Sequence, residues 1–131
     1  MADYFSTLKL PNTYDLRAPD GSEVRVLVSL AAGSMAHFRL QANQISHAVR
    51  HQTVEEIWYV LEGQGEMWRS SQGQEDITAL SQGTSLTIPA GIAFQFRAFP
   101  DTSISVVAVT IPPWPGEGEA VIVAGKWPPA I

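Results

Sequence analysis

Hydrophobic and polar residues alternate along this chain in short bursts. Val24, Val26 and Val28 fall on one side of a zigzag, with Arg25, Leu27 and Ser29 on the other. Alternation of that kind, rich in β-branched side chains, predicts a strand over residues 24–30. The same pattern predicts strands over Ala36–Gln41, His47–His51, Ile57–Leu61, Gly65–Arg69, Ser85–Ile88, Ala93–Ala98 and Ser103–Ile111. Turn signals separate them: Asp20-Gly21, Ala42-Asn43, Glu62-Gly63, Ser71-Gln72-Gly73, Gln82-Gly83, Pro89-Ala90-Gly91 and Pro100-Asp101. Almost no stretch sustains a helical period. Short strands so regularly punctuated predict an all-β, antiparallel sandwich or barrel. No boundary or repeat interrupts the pattern, so residues 1–131 form one domain with a strand-bearing core at about 24–111. Five of the nine prolines (112, 113, 115, 128 and 129) crowd the tail, which predicts an extended arm over 112–131. Such an arm lies on its own barrel or on a partner's.

Composition narrows the partners. Charged residues make up only 16% of the 131, against roughly 25% in typical domains, so part of the surface is expected to be covered by another subunit. A net charge of −5 argues against nucleic acid, whose binding is mostly basic-patch electrostatics. The absence of cysteine excludes thiol catalysis, disulfides and thiolate zinc sites. The opening MADYFSTLKL lacks the basic patch and apolar core of a signal peptide. No apolar run approaches the roughly 18 residues of a membrane span. The expected location is the cytoplasm.

Two segments carry recognition. One runs from His51 through Glu55, Glu56 and Glu62 to Gly63 and Gly65, and the other from Gly83 through Pro89, Gly91 and Phe94 to Arg97. Together they resemble the two motifs of the cupin superfamily: Gly, five residues, His-x-His, three or four residues, Glu, six residues, Gly; then Gly, five residues, Pro-x-Gly, two residues, His, and an Asn three residues later. Both spacings are kept over most of residues 43–98. The resemblance implies a single-domain cupin-like double-stranded β-helix, a jelly-roll barrel, often dimeric and often holding a metal ion inside. The metal ligands depart from the pattern. The first ligand His falls on Val49 and the last on Phe94, the opening Gly is Asn43, and the closing Asn is Ala98. Asn43 is a mild change, because Asn tolerates left-handed turn geometry. Of the three-His, one-Glu set only His51 and Glu56 remain, so the resemblance supports the barrel and undermines the metal.

Residues two apart on a strand lie about 6.6 Å apart on one face, which lets two rings converge on one ion. With a carboxylate from the next strand they make a set suited to iron, manganese, nickel or zinc. Valine and phenylalanine offer no lone pair, and two protein ligands rarely hold such an ion tightly. His47 shares the parity of Val49 and His51. Four residues of strand span about 13 Å, too far for two rings to share an ion without a bend, so His47 reads as a histidine at the barrel mouth and only a remote third ligand. His37 reads as a lone half-buried or surface histidine. Without a metal, His51 and Glu56 are expected to bond to one another, keeping the carboxylate charged and raising the His pKa.

Parity places Glu56, Trp58 and Val60 on the inner face with Val49, Phe94 and Phe96. That arrangement is either an apolar pocket with His51 and Glu56 as its few polar groups, and His47 at its mouth, or a core packed with aromatics. Glu55, Gln95 and Arg97 point outward. Ile57, Tyr59 and Leu61 make the outer face of the same strand apolar, which favours a homodimer packed sheet on sheet. Trp114 and Trp127 of the arm could serve that contact or clamp the arm to its own barrel. Gly63-Gln64-Gly65 reads as a hairpin turn, Glu117-Gly118-Glu119 as a solvated turn, and Ser34 after Gly33 as no nucleophile elbow.

Three functions follow. The first is a cupin binding a small organic molecule, a sugar or carboxylic acid, as sensor, carrier or an enzyme using Glu56 and His51 as base and acid. The second is a metal-dependent dioxygenase, isomerase or lyase with the ion on His51 and Glu56 and its open positions filled by substrate or water. The third is a structural dimeric module with a filled barrel.

Overall fold

The computed structural model describes residues 5–131; residues 1–4, part of the stretch read for a leader, lie outside it. The described residues hold strands and no helix. They run β1 (Leu16–Arg17), β2 (Glu23–Leu30), β3 (Gly33–Leu40), β4 (Val49–His51), β5 (Glu55–Glu62), β6 (Gln64–Ser71), β7 (Gln74–Ser81), β8 (Ser85–Ile88), β9 (Ala93–Ala98), β10 (Ile104–Ile111) and β11 (Ala120–Ile122). Pairing is antiparallel throughout, in one sheet of order β1-β2-β3-β10-β5-β8 and another of order β11-β4-β9-β6-β7. The inner faces bury Leu40, Val60, Met67, Leu80, Phe96, Ile104 and Val106 almost completely. This is the jelly-roll barrel that the alternation and the motif spacing predict.

Period two holds best on β5, whose residues alternate exposed and buried from Glu55 to Val60. It fails on β2. A bulge between Val26 and Ser29 shifts the register, so Val28 leaves the side of Val24 and Val26, while Leu27 and Ser29 turn inward. It also ends early on β4, because His47 is outside the strand and gives its N–H to the Asp20 carbonyl instead.

Gly63-Gln64-Gly65 is a corner rather than a hairpin. β5 and β6 lie in different sheets, and the chain crosses between them here. Gly63 has φ +93°, and a Cβ on Gly65 would overlap the carbonyl oxygen of Arg97, so both positions require glycine. Asn43 sits at φ +69°, the left-handed geometry that asparagine tolerates.

The segment after β10 returns to the barrel. β11 pairs with β4, and Ala130 bridges Ile45. Gln95, read as an outward residue either solvated or at an interface, is fully buried beneath this segment. Its Nε2 donates to the carbonyls of Ser46 and Trp127, and its Oε1 accepts from the N–H groups of Lys126 and Trp127. Arg97 is half-buried, bonded to Glu66 and stacked over the Trp127 ring at 4.2 Å. Glu119, read as part of a solvated turn, is buried and accepts the N–H groups of Thr53 and Val54. The outward positions of β9 and the β4–β5 loop thus find their partners in the chain's own C-terminal segment.

Candidate functional site

Strand register builds the site in layers. Ser34, Thr110 and Glu56 lie side by side across β3, β10 and β5; Ala36, Ala108 and Trp58 form the next layer, and Phe38, Val106 and Val60 the one below. Ser34, Thr110, Glu56, Ala36, Trp58 and, from the layer below, Phe38 line a cavity of about 350 Å³. It is closed on the other sides by Val49, His51 and Phe94, by Leu16, Ala18, Pro19 and Asp20 around the rim, by residues of β2, and by Trp114 and Ala120 of the C-terminal segment. Below Phe38 the interior is packed. Val60 and Phe96, expected in the pocket, therefore sit one layer too deep and belong to the core, while His47, outside the strand, is not in the lining. Val49, His51, Glu56, Trp58 and Phe94 are brought together around the cavity.

Five rings, those of Phe38, His51, Trp58, Phe94 and Trp114, stand in the wall among aliphatic side chains. The His51 ring meets Phe94 edge-on at 5.2 Å and Trp114 at 5.0 Å, while Trp58 stacks on Phe38 at 6.0 Å and meets Phe94 edge-on at 6.2 Å. Polar groups are few. Glu56 Oε1 accepts from Trp58 Nε1 at 2.8 Å, the Ser34 and Thr110 hydroxyls bond to one another, and Ser34 also accepts the Trp114 N–H.

His51 and Glu56 do not form the expected pair. Glu56 has taken the indole N–H instead, and His51 Nδ1 is buried with no partner. The consequence for charge is the reverse of that expectation. Burial raises the Glu56 carboxyl to about 7, a rise the Trp58 bond opposes and Asp20 augments. Burial lowers the His51 imidazole to about 4, opposed by Glu119. At neutral pH His51 is uncharged, and Glu56 takes up its proton far above the ordinary carboxylate range.

Asp20 is the site residue that sequence reasoning missed. It is buried in the rim, its Oδ1 accepts the N–H and the hydroxyl of Ser22, and burial raises its carboxyl. Its only sequence signal was the Asp20-Gly21 turn, which says nothing of burial. Thr110 was likewise visible only as a strand residue, and Ser34 only as a serine after a glycine, just ahead of the strand read over Ala36–Gln41.

The family model of the cupin domain matches residues 36–110, more than half of the chain, and the chain belongs to that family. Among solved structures it is similar to an 11S globulin from Wrightia tinctoria described with an auxin binding site (TM-score 0.72, 20% identity, 92% of this chain and 32% of that one). It is also similar to PAC13 of Streptomyces, solved with uridine (0.68, 13%, 91% and 92%), and to BH2720 of Bacillus halodurans (0.66, 16%, 74% and 75%). At these identities the likeness shows the fold. No curated protein matches the chain.

Cupins often hold a metal, and the residues here do not fit one. Val49 and Phe94, at two of the family's ligand positions, are register partners across β4 and β9 and bury their side chains. An apolar cross-strand contact thus occupies the place of two imidazoles. Among the described residues no group of three or more His, Asp or Glu side chains is arranged to hold an ion.

Proposed function

We propose that this cupin binds a small organic molecule in the cavity beneath Glu56, without a resident metal, and does so as a homodimer. The observation that carries the reading is the cavity itself, mostly apolar with a few placed polar groups, which is the character of small-molecule sites. Two of the similar structures, described with auxin or uridine, lend the fold-level support that such barrels take organic ligands. A sugar would leave most of its hydroxyls facing rings. A carboxylic acid would meet Asp20 and Glu56 with no basic side chain among the described lining residues. An apolar body with one polar head fits better. The homodimer uses the exposed apolar face of β5, where Ile57, Tyr59 and Leu61 stand in a row.

The test uses 2-phenylethanol, a ring with a single hydroxyl. It is expected to raise the thermal unfolding midpoint of the native protein and to leave that of Ala36→Phe, which fills the cavity from β3, unmoved. Equal shifts in both would put binding elsewhere and end the reading.

A further inference from the structure

We propose that the ligand of this cavity is an organic cation, a protonated or quaternary amine, with its charged head between Asp20 and Glu56 and its apolar body against the aromatic wall. The inference rests on the small-molecule reading above and names the chemical class of that molecule.

The first argument is charge. Asp20, Glu56 and His51 are the ionisable side chains of the described lining, and two of the three are carboxyls. Among the described residues neither carboxyl has an ion-pair partner. Two acids buried in one apolar chamber, the charge of one acting on the other, are costly unless something of opposite charge joins them. His51 does not supply it, since burial keeps the ring uncharged at neutral pH, and His47, whose charge acts on Asp20, stands outside the cavity lining.

The second argument is hydrogen bonding. The protein aims donors at both carboxyls: the N–H and hydroxyl of Ser22 at Asp20 Oδ1, at 2.9 and 2.7 Å, and the indole N–H of Trp58 at Glu56 Oε1. Donors of this kind favour the ionised form. One oxygen of each group is thus fixed, and Asp20 Oδ2 and Glu56 Oε2 accept no hydrogen bond from the described residues. His51, 5% exposed and with Nδ1 unpartnered, adds a third polar side chain in the same lining whose bonding within the protein is incomplete.

The third argument is the wall. Phe38, Trp58, Phe94 and Trp114 surround the chamber, and the faces of such rings attract cations, most strongly when water is excluded. A neutral apolar ligand would gain from the rings but leave the two acids as they are. A cation gains from both.

Three probes of one shape and different charge separate the possibilities: 2-phenylethylammonium, 2-phenylethanol and phenylacetate, titrated calorimetrically at pH 8 into native protein and into Glu56→Gln and Asp20→Asn. The cation is expected to bind at least tenfold more tightly than the alcohol, and phenylacetate not to bind. Each substitution is expected to weaken the cation at least tenfold and to change the alcohol less than threefold, with thermal unfolding of each variant establishing that it is folded. Binding of the alcohol as tight as that of the amine, or an amine affinity indifferent to both substitutions, would overturn the cation while leaving the cavity as a binding site. Binding by none of the three to folded protein would overturn both.

Discussion

Glu56 and His51 pull the stability of the fold in opposite directions as pH changes. The Glu56 carboxyl rises from 4.5 to about 7 on folding, so between those values the native state holds a proton that the unfolded chain has lost, and stability falls as pH rises. A shift of that size corresponds to on the order of 3 kcal/mol across the window. The His51 ring falls from 6.5 to about 4, so between those values the unfolded chain holds the extra proton, and stability increases with pH. Asp20, also raised by burial, adds to the fall. Urea unfolding at a series of pH values is expected to show Glu56→Gln losing the decline between about pH 4.5 and 7, and His51→Leu losing the rise between about pH 4 and 6.5. A Glu56→Gln profile parallel to that of the native protein would mean that the carboxyl is solvated. At this scale the motif spacing and strand parity made His51, Glu56, Trp58, Val49 and Phe94 legible as one cluster. They did not reveal that Glu56 would bond to its own neighbour two residues on, because an indole is as readily a filler as a donor until its orientation is known. Asp20 lay in a turn outside both motifs, where no periodicity reports which side chains are covered.

Among the elements, the C-terminal segment takes one of the two courses the sequence left open, lying on its own barrel, and what it covers there was not foreseen. Alternation placed Gln95 outward from Phe94 and Phe96, and its geometry is as stated, but the outer face of β9 is covered by residues 126 and 127. Period two assigns a face and is silent on whether that face is wet. Replacing Gln95 with Leu would orphan two carbonyls and two N–H groups beneath the segment. It is expected to lower stability by at least about 2 kcal/mol and to expose residues 112–131 to limited proteolysis before the barrel is cut. Unchanged stability and protection would show that other contacts hold the segment. β7 was missed for a related reason. It is an edge strand whose residues from Gln74 to Ile77 are all exposed, so the core imposes no alternation on it, and only the Gln72-Gly73 turn before it was readable. β11 escaped because a three-residue strand among prolines leaves no pattern to count.

For the molecule as a whole, the barrel followed from alternation and motif spacing because both reflect the same inward-facing core. Its surface was legible in part. Ile57, Tyr59 and Leu61 are 49, 47 and 38% exposed, an apolar row on an outer sheet face. Ile57→Lys is expected to turn a dimer into a monomer in sedimentation velocity without changing the unfolding midpoint of the isolated subunit. A native protein that sediments as a monomer at every concentration would remove the homodimer from the reading. The cavity, by contrast, belongs to no contiguous stretch. Its rim comes from Leu16, Ala18, Pro19 and Asp20, its floor from β3, β5 and β10, and its remaining walls from β2, from Val49, His51 and Phe94, and from Trp114 and Ala120, which follow the last long strand. On the ribosome this imposes an order of events. A nascent chain extended as far as Ile111 has β3, β5 and β10 and can join them, yet it presents an open, aromatic-lined gap where the last wall will be. Such an intermediate exposes apolar surface of the kind chaperones hold, and no closed chamber exists for the proposed ligand until residues 114–120 have been made.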